Sequence, residues 1–105
     1  MTRATKARRS PEMEPERAAL LAELLRALAH PLRLRIVSLL CAAETHVGGI
    51  AERLEVPQPI VSQQLRILRM SRLVDVSRAK GLAVYRIAEP RLRELLGCME
   101  GCRSG

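Results

Sequence analysis

The sequence predicts a mainly α-helical domain with a small β-hairpin near its C-terminal end. Three observations lead there. Apolar residues recur at helical spacing in successive segments that Pro and Gly punctuate. Two short runs flanking Ala79-Lys80-Gly81 alternate apolar and polar residues, as half-buried strands do. The length, 105 residues, suits one compact domain and is too short for two.

Residues 1–13, with Arg3, Lys6, Arg8 and Arg9, are predicted to be a disordered basic arm, and residues 14–102 the folded domain. Pro15 fits the first turn of a helix, and Glu14 and Glu16 suit its positive end. Leu21, Leu24, Leu25 and Leu28 form its stripe, up to about Ala29. Ala18, Leu20, Ala22 and Ala27 widen that stripe, so this helix needs two packing partners: its own core and a second subunit. His30-Pro31 separates it from a second helix, Pro31 to Cys41, with Leu34, Val37, Leu40 and Cys41 as the expected inner face and Ile36 and Leu39 flanking it.

Thr45 is a candidate N-cap for a short third helix, Val47 to Leu54. Glu55-Val56-Pro57 forms a turn, and a fourth helix spans Gln58 to Met70 with Val61, Leu65 and Leu68 facing inward. Leu73–Ser77 and Ala83–Ile87 are the predicted strands. Glu89-Pro90 opens a last helix to about Met99, striped by Leu92, Leu95, Leu96 and Met99. The order helix, helix, short helix, turn, longer helix, hairpin, helix is that of a winged helix-turn-helix.

Composition narrows the function. With 48% hydrophobic and 28% charged residues the chain is globular, and with one Tyr, no Trp and no Phe its core must be aliphatic. A net charge of +7 and a pI near 10.6 point to a polyanionic partner. The scarcity of aromatic platforms disfavours single-stranded nucleic acid and leaves duplex DNA. The basic start is followed by polar and acidic residues, not an apolar run, so no secretory signal is read. Leu20–Ala29 is interrupted by Glu23 and Arg26 and is too short to cross a bilayer. The expected setting is cytoplasmic, with the three cysteines as reduced thiols. Two histidines in poor contexts and no Gly-rich phosphate loop argue against an enzyme.

In this architecture the fourth helix enters a major groove. Its outward face offers Gln58, Ile60, Ser62, Gln63, Arg66 and Arg69. Gln pairs bidentately with adenine, Arg with guanine, and Ser with bases or phosphate. Gln58, Ser62 and Gln63, near the helix start, are placed for bases; Arg66, Arg69 and Arg72 are placed for phosphates. Arg78 and Lys80 at the hairpin tip suit the adjacent minor groove or phosphates. Tyr85 either donates to a phosphate or packs its ring under the hairpin. The plain alternative for any one of these residues is the solvated face of an amphipathic helix. For the whole domain the alternative is a winged helix used only for protein contact.

Leu28-Ala29-His30-Pro31-Leu32-Arg33-Leu34-Arg35-Ile36-Val37, followed by Gln58-Pro59-Ile60-Val61-Ser62-Gln63-Gln64-Leu65-Arg66-Ile67-Leu68, resembles the ArsR/SmtB family of metal- and stress-responsive repressors over about residues 17–97. The resemblance implies a homodimer paired through the first and last helices, an inverted-repeat operator in double-stranded DNA, and release by an inducer. The family's Cys-x-Cys site at the third helix is absent, since that stretch reads His46-Val47-Gly48. Its Asp/His site on the last helix is absent too, since residues 89–101 hold no His. His30 reads as the helix-junction residue and His46 as surface loop. Cys98 and Cys102 remain, four apart and on one helical face, with Cβ atoms about 5–6 Å apart. They suit a soft ion such as As(III) or Sb(III), with Cys41 as a possible third sulfur. Some family members resemble this in using C-terminal cysteines for trivalent arsenic or antimony. A disulfide or persulfide redox switch, or an incidental pair, are the alternatives.

Overall fold

The computed structural model describes residues 12–104, with side chains described as far as Gly97. Most of the predicted basic arm therefore lies outside the described residues. Five helices and three short strands follow in the order α1 (Pro15–Leu28), α2 (Pro31–Ala42), β1 (Thr45–His46), α3 (Val47–Leu54), α4 (Gln58–Met70), β2 (Val74–Ala79), β3 (Leu82–Ile87) and α5 (Pro90–Ser104). This is the predicted winged helix-turn-helix, with α3 and α4 spanning the residues expected of them.

The core is entirely aliphatic. Leu24 and Leu28 of α1, Ile36, Val37 and Leu40 of α2, Ile50 of α3, and Val61, Leu65 and Leu68 of α4 pack with Leu73, Val74, Leu92 and Leu96. No polar side chain is buried among the described residues. Each such side chain contributes about 1.5–3 kcal/mol on burial, so the helices are held by packing more than by their own propensity.

The inner face of α2 differs from the expected one. Ile36 is fully buried and central, Cys41 is half-buried, and Leu34 is 41% exposed. The α1 and α4 stripes meet α2 on the Ile36–Val37–Leu40 side, which turns Leu34 outward. Both helices run slightly differently at their ends: α1 stops at Leu28, and α2 continues to Ala42.

Two further corrections concern the start of α3. Thr45 is not its cap. It lies in β1, opposite Tyr85 of β3, and that pairing claims it as an edge strand. His46 is the cap and is not a surface loop: it is half-buried, and its Nδ1 accepts from the Gly49 N–H at 3.1 Å. His30 does the same for α2, its Nδ1 accepting from the Leu32 N–H at 3.1 Å. Both rings thus present a bare Nδ1 to a helix N-terminus, which assigns the ring proton to Nε2. Gly49 is explained by the same local packing, since a Cβ there would lie 2.5 Å from Thr45 Oγ1.

The sheet is antiparallel in the order β1-β3-β2, with Val74 opposite Ile87 and Ala79 opposite Leu82. The strands run to the turn itself, longer than predicted, and leave Lys80-Gly81 as a two-residue loop. Both loop residues have positive φ, 55° and 82°, as a type I′ hairpin turn requires. Glu89 opens α5 by accepting from the Arg91 N–H at 3.0 Å. That backbone bond, then the Arg91 side chain, hold its carboxyl below the usual range.

α3 and α4 each end in a left-handed residue that carries a side chain. Glu55 (φ 56°) lies between the bonds Glu55 N–H to Glu52 O and Val56 N–H to Ala51 O. Arg72 (φ 62°) lies between Arg72 N–H to Arg69 O and Leu73 N–H to Leu68 O. Both are Schellman closures of the kind glycine ordinarily makes. Replacing Glu55 with Gly is therefore expected to stabilise the protein by about 1 kcal/mol and to raise the thermal midpoint by several degrees. A lowered midpoint in a calorimetric scan would contradict the strained-turn reading.

Candidate nucleic-acid interface

The orientation of α4 follows from its buried side. Val61, Leu65 and Leu68 are fully buried, and this fixes the rotation of the helix about its axis. Gln58, Ser62, Gln63, Arg66 and Arg69 are consequently exposed, and Ile60 is 42% exposed. Pro57 and Pro59 start the helix without a side-chain cap, so its first N–H groups are not claimed by a capping side chain. No acidic residue stands in that first turn.

Four of the predicted contact residues converge. Ser62, Gln63, Arg66 and Arg69, with Pro59 and Tyr85, line an open cleft of about 530 Å³ between α4 and the sheet. Of the two roles considered for Tyr85, the structure shows the packing one. Its ring packs against the core cluster, and it borders the cleft. Sequence order alone does not bring it there; the β3 register opposite Thr45 and Val76 does.

Arg78 and Lys80 lie apart from this cleft, at the hairpin tip, and both are exposed. The Arg78 guanidinium donates to the Gly81 carbonyl at 3.3 Å, which holds it over the turn. Gln58 lies at the other end of the surface. Its Oε1 is 3.9 Å from the Cβ position of Gly48, beside the start of α3. Arg72 is exposed just past the end of α4. The surface thus runs from amide and hydroxyl groups at the α4 start, through arginines, to a cationic hairpin. Amides and hydroxyls read base edges, while guanidinium and ammonium groups neutralise phosphates.

Cys98 and Cys102 fall beyond the described side chains. Among the described residues there is no cluster of three or more His, Cys, Asp or Glu able to hold a metal ion. No helix among them is long and apolar enough to cross a membrane.

A helix with a polar and cationic outer face, joined to a cationic hairpin, defines a winged helix-turn-helix DNA-binding protein. The profile of the bacterial regulatory protein, arsR family, matches residues 30–76. The biofilm growth-associated repressor of Agrobacterium fabrum is 41% identical over 86 residues, covering 82% of this chain and 73% of that protein. Among solved structures, the transcriptional repressor BigR from Xylella fastidiosa superposes with a TM-score of 0.76 at 32% identity, over 97% of this chain and 96% of that one. The homodimeric winged helix-turn-helix DNA-binding domain of Mb0332 from Mycobacterium bovis superposes at 0.68 with 28% identity, covering 90% of each chain. The chain belongs to the ArsR family and is a transcriptional repressor of the ArsR/SmtB type, not an enzyme.

If Arg78 and Lys80 meet phosphates, Arg78→Ala and Lys80→Ala should each lower the slope of log affinity against log salt by about 1, with little change in preference among duplexes. Fluorescence anisotropy across a salt series measures this. An unaltered slope in both variants would remove the hairpin tip from the interface.

Proposed function

We propose that this repressor binds an inverted-repeat operator as a homodimer, one α4 in each of two successive major grooves, and leaves it when a thiophilic metal or metalloid ion binds its cysteines. The observation that supports base reading is the cleft holding Ser62, Gln63, Arg66 and Arg69 on one exposed side of a rigidly packed helix. Two-fold pairing rests on the opposite surface. An apolar groove of about 900 Å³ there is lined by Leu25, Leu34, Leu39, Leu54 and Leu95 of α1, α2, α3 and α5, among others. Leu25, Leu34 and Leu95 are 48%, 41% and 43% exposed in the single chain, as a surface awaiting a second copy would be. A dimer reading two successive major grooves on one face needs its reading helices one turn of DNA apart, about 34–36 Å.

For the inducer, α5 continues as helix through Cys98 and Cys102, which keeps their four-residue spacing on one element. The donor set is sulfur, and the half-buried Cys41 lies in the last turn of α2 close to α5, where the Arg93 side chain donates to the Cys41 carbonyl at 3.1 Å. Soft thiolates suit As(III) or Sb(III) and not a hard cation. Cys98 and Cys102 would hold the ion, with Cys41 as a third thiolate in this reading. Because α5 borders the pairing groove, a ligand on it would alter how two copies meet, and hence the spacing of their reading helices. The Arg93 contact, which sets α5 beside the end of α2, favours one second reading: a peroxide takes two electrons and both thiol protons leave as Cys41 Sγ bonds to a thiol sulfur of α5, since two cysteines one turn apart on a regular helix are poorly disposed for a disulfide.

Two experiments test these readings. Ser62→Ala and Gln63→Ala should each weaken binding to a selected duplex by about tenfold, and binding to a scrambled duplex far less. Equal losses on both would refute base reading. The double variant Cys98→Ser/Cys102→Ser should bind DNA normally and no longer be released by arsenite. Release of this variant at wild-type arsenite concentrations would remove the metalloid site, and release of the wild-type protein, but not of this variant, by peroxide alone would favour the thiol switch.

A further inference from the structure

Arg33 occupies an unusual place in the fold. It lies in the first turn of α2 and is half-buried. Its Nε donates to Gln64 Oε1 of α4 at 2.9 Å, and its Nη1 donates to the Ala27 carbonyl of α1 at 2.7 Å. One planar guanidinium therefore joins three helices. The Ala27 carbonyl belongs to the last turn of α1, where no further helical N–H follows to bond it. Gln64 is the half-buried polar residue of α4, immediately after the exposed Gln63.

The bridge spans a gap. A solvent-open cleft of about 670 Å³ lies between α1 and the C-terminal part of α4, and Arg33 lines it together with Ala27 and Ile67. On this side α1 and α4 are joined by hydrogen bonds to one side chain, not by continuous apolar packing. The Val61–Leu65–Leu68 stripe resists rotation of α4, but an apolar contact is non-directional and tolerates small sliding. Two charge-assisted bonds in a fixed fork are directional and do not.

We infer that Arg33, acting through Gln64, is a positioning residue for base reading, setting the register of α4 against α1. It touches no base itself. Gln63 lies one residue from the clamped Gln64, so a small axial shift of α4 displaces the amide that reads a base edge. Phosphate contacts are long and adaptable, and survive such a shift. α1 also carries Leu25 in the apolar groove, so the same guanidinium links the proposed pairing helix to the reading helix.

The inference rests on α4 as the base-reading helix, and its test separates the two. The probe is the tightest 30-base-pair duplex selected from a random pool by the wild-type protein, compared with a scrambled duplex of the same composition. The readout is the ratio of the two affinities. Arg33→Lys, which keeps the charge and loses the fork, should lower the ratio about tenfold, as should Gln64→Ala. The double variant should lose no more than either single one. Gln64→Glu keeps an acceptor for Arg33, and should weaken both duplexes while holding the ratio near wild type. An unchanged ratio in Gln64→Ala, or additive losses in the double variant, would overturn the inference. Gln64→Ala decides the matter if Arg33→Lys fails to fold, since Gln64 is only half-buried. If Ser62→Ala and Gln63→Ala also leave the ratio unchanged, the base-reading helix itself is wrong; if they lower it and Gln64→Ala does not, only the positioning role falls.

Discussion

The burial of Val61, Leu65 and Leu68 against α2 is the contact on which the rest of the molecule depends. These side chains occupy one side of α4 and reach full burial, so the opposite side has no freedom to be anything but the outer surface. The chemistry of that surface is then a matter of which residues fall between them. Here they are amide, hydroxyl and guanidinium groups, in a chain whose net charge is +7. Because the core lacks aromatic rings, its shape depends on many small aliphatic contacts, and loss of one leaves a cavity that neighbours fill only in part.

The two remaining surfaces divide the labour. The α4 cleft and the hairpin are polar and cationic, while the groove between α1, α2 and α5 is apolar. The first suits a polyanion with directional donors and acceptors along its grooves. The second suits another apolar surface, and a second copy brings an identical one. Local devices hold the elements between them. Both histidines cap helices through Nδ1, and Arg33 ties α1 to α4. A histidine whose Nδ1 already serves a backbone N–H is tied to that helix start, which is why neither ring stands out as a metal ligand.

Helix spacing made most of this fold legible from sequence. The bounds of α3 and α4 and the buried stripe of α4 follow from apolar periodicity and the prolines at 57 and 59. What escaped were features set by distant partners. Thr45 has the residue type of an N-cap, but β3 pairs with it and passes the cap to His46. Ile36 and Leu34 are equally apolar, and which one faces inward depends on where α1 and α4 meet α2. The outward residues of α4 were readable because its inward ones were. The arrival of Tyr85 beside them, and the bond from Arg33 to Gln64 across 31 positions, have no local signal. The strand lengths were underestimated because Arg78 and Ala79 interrupt strict alternation, though a two-residue turn lets pairing reach it.

The central claim is that one particular face of this chain meets DNA. Chemical-shift mapping of the labelled protein, titrated with the selected duplex, tests it most directly. The largest amide changes should fall on Ser62, Gln63, Arg66 and the Lys80-Gly81 turn, with Leu25 and Leu95 nearly still. Changes concentrated on α1 and α5, with residues 58–70 unmoved, would contradict the account.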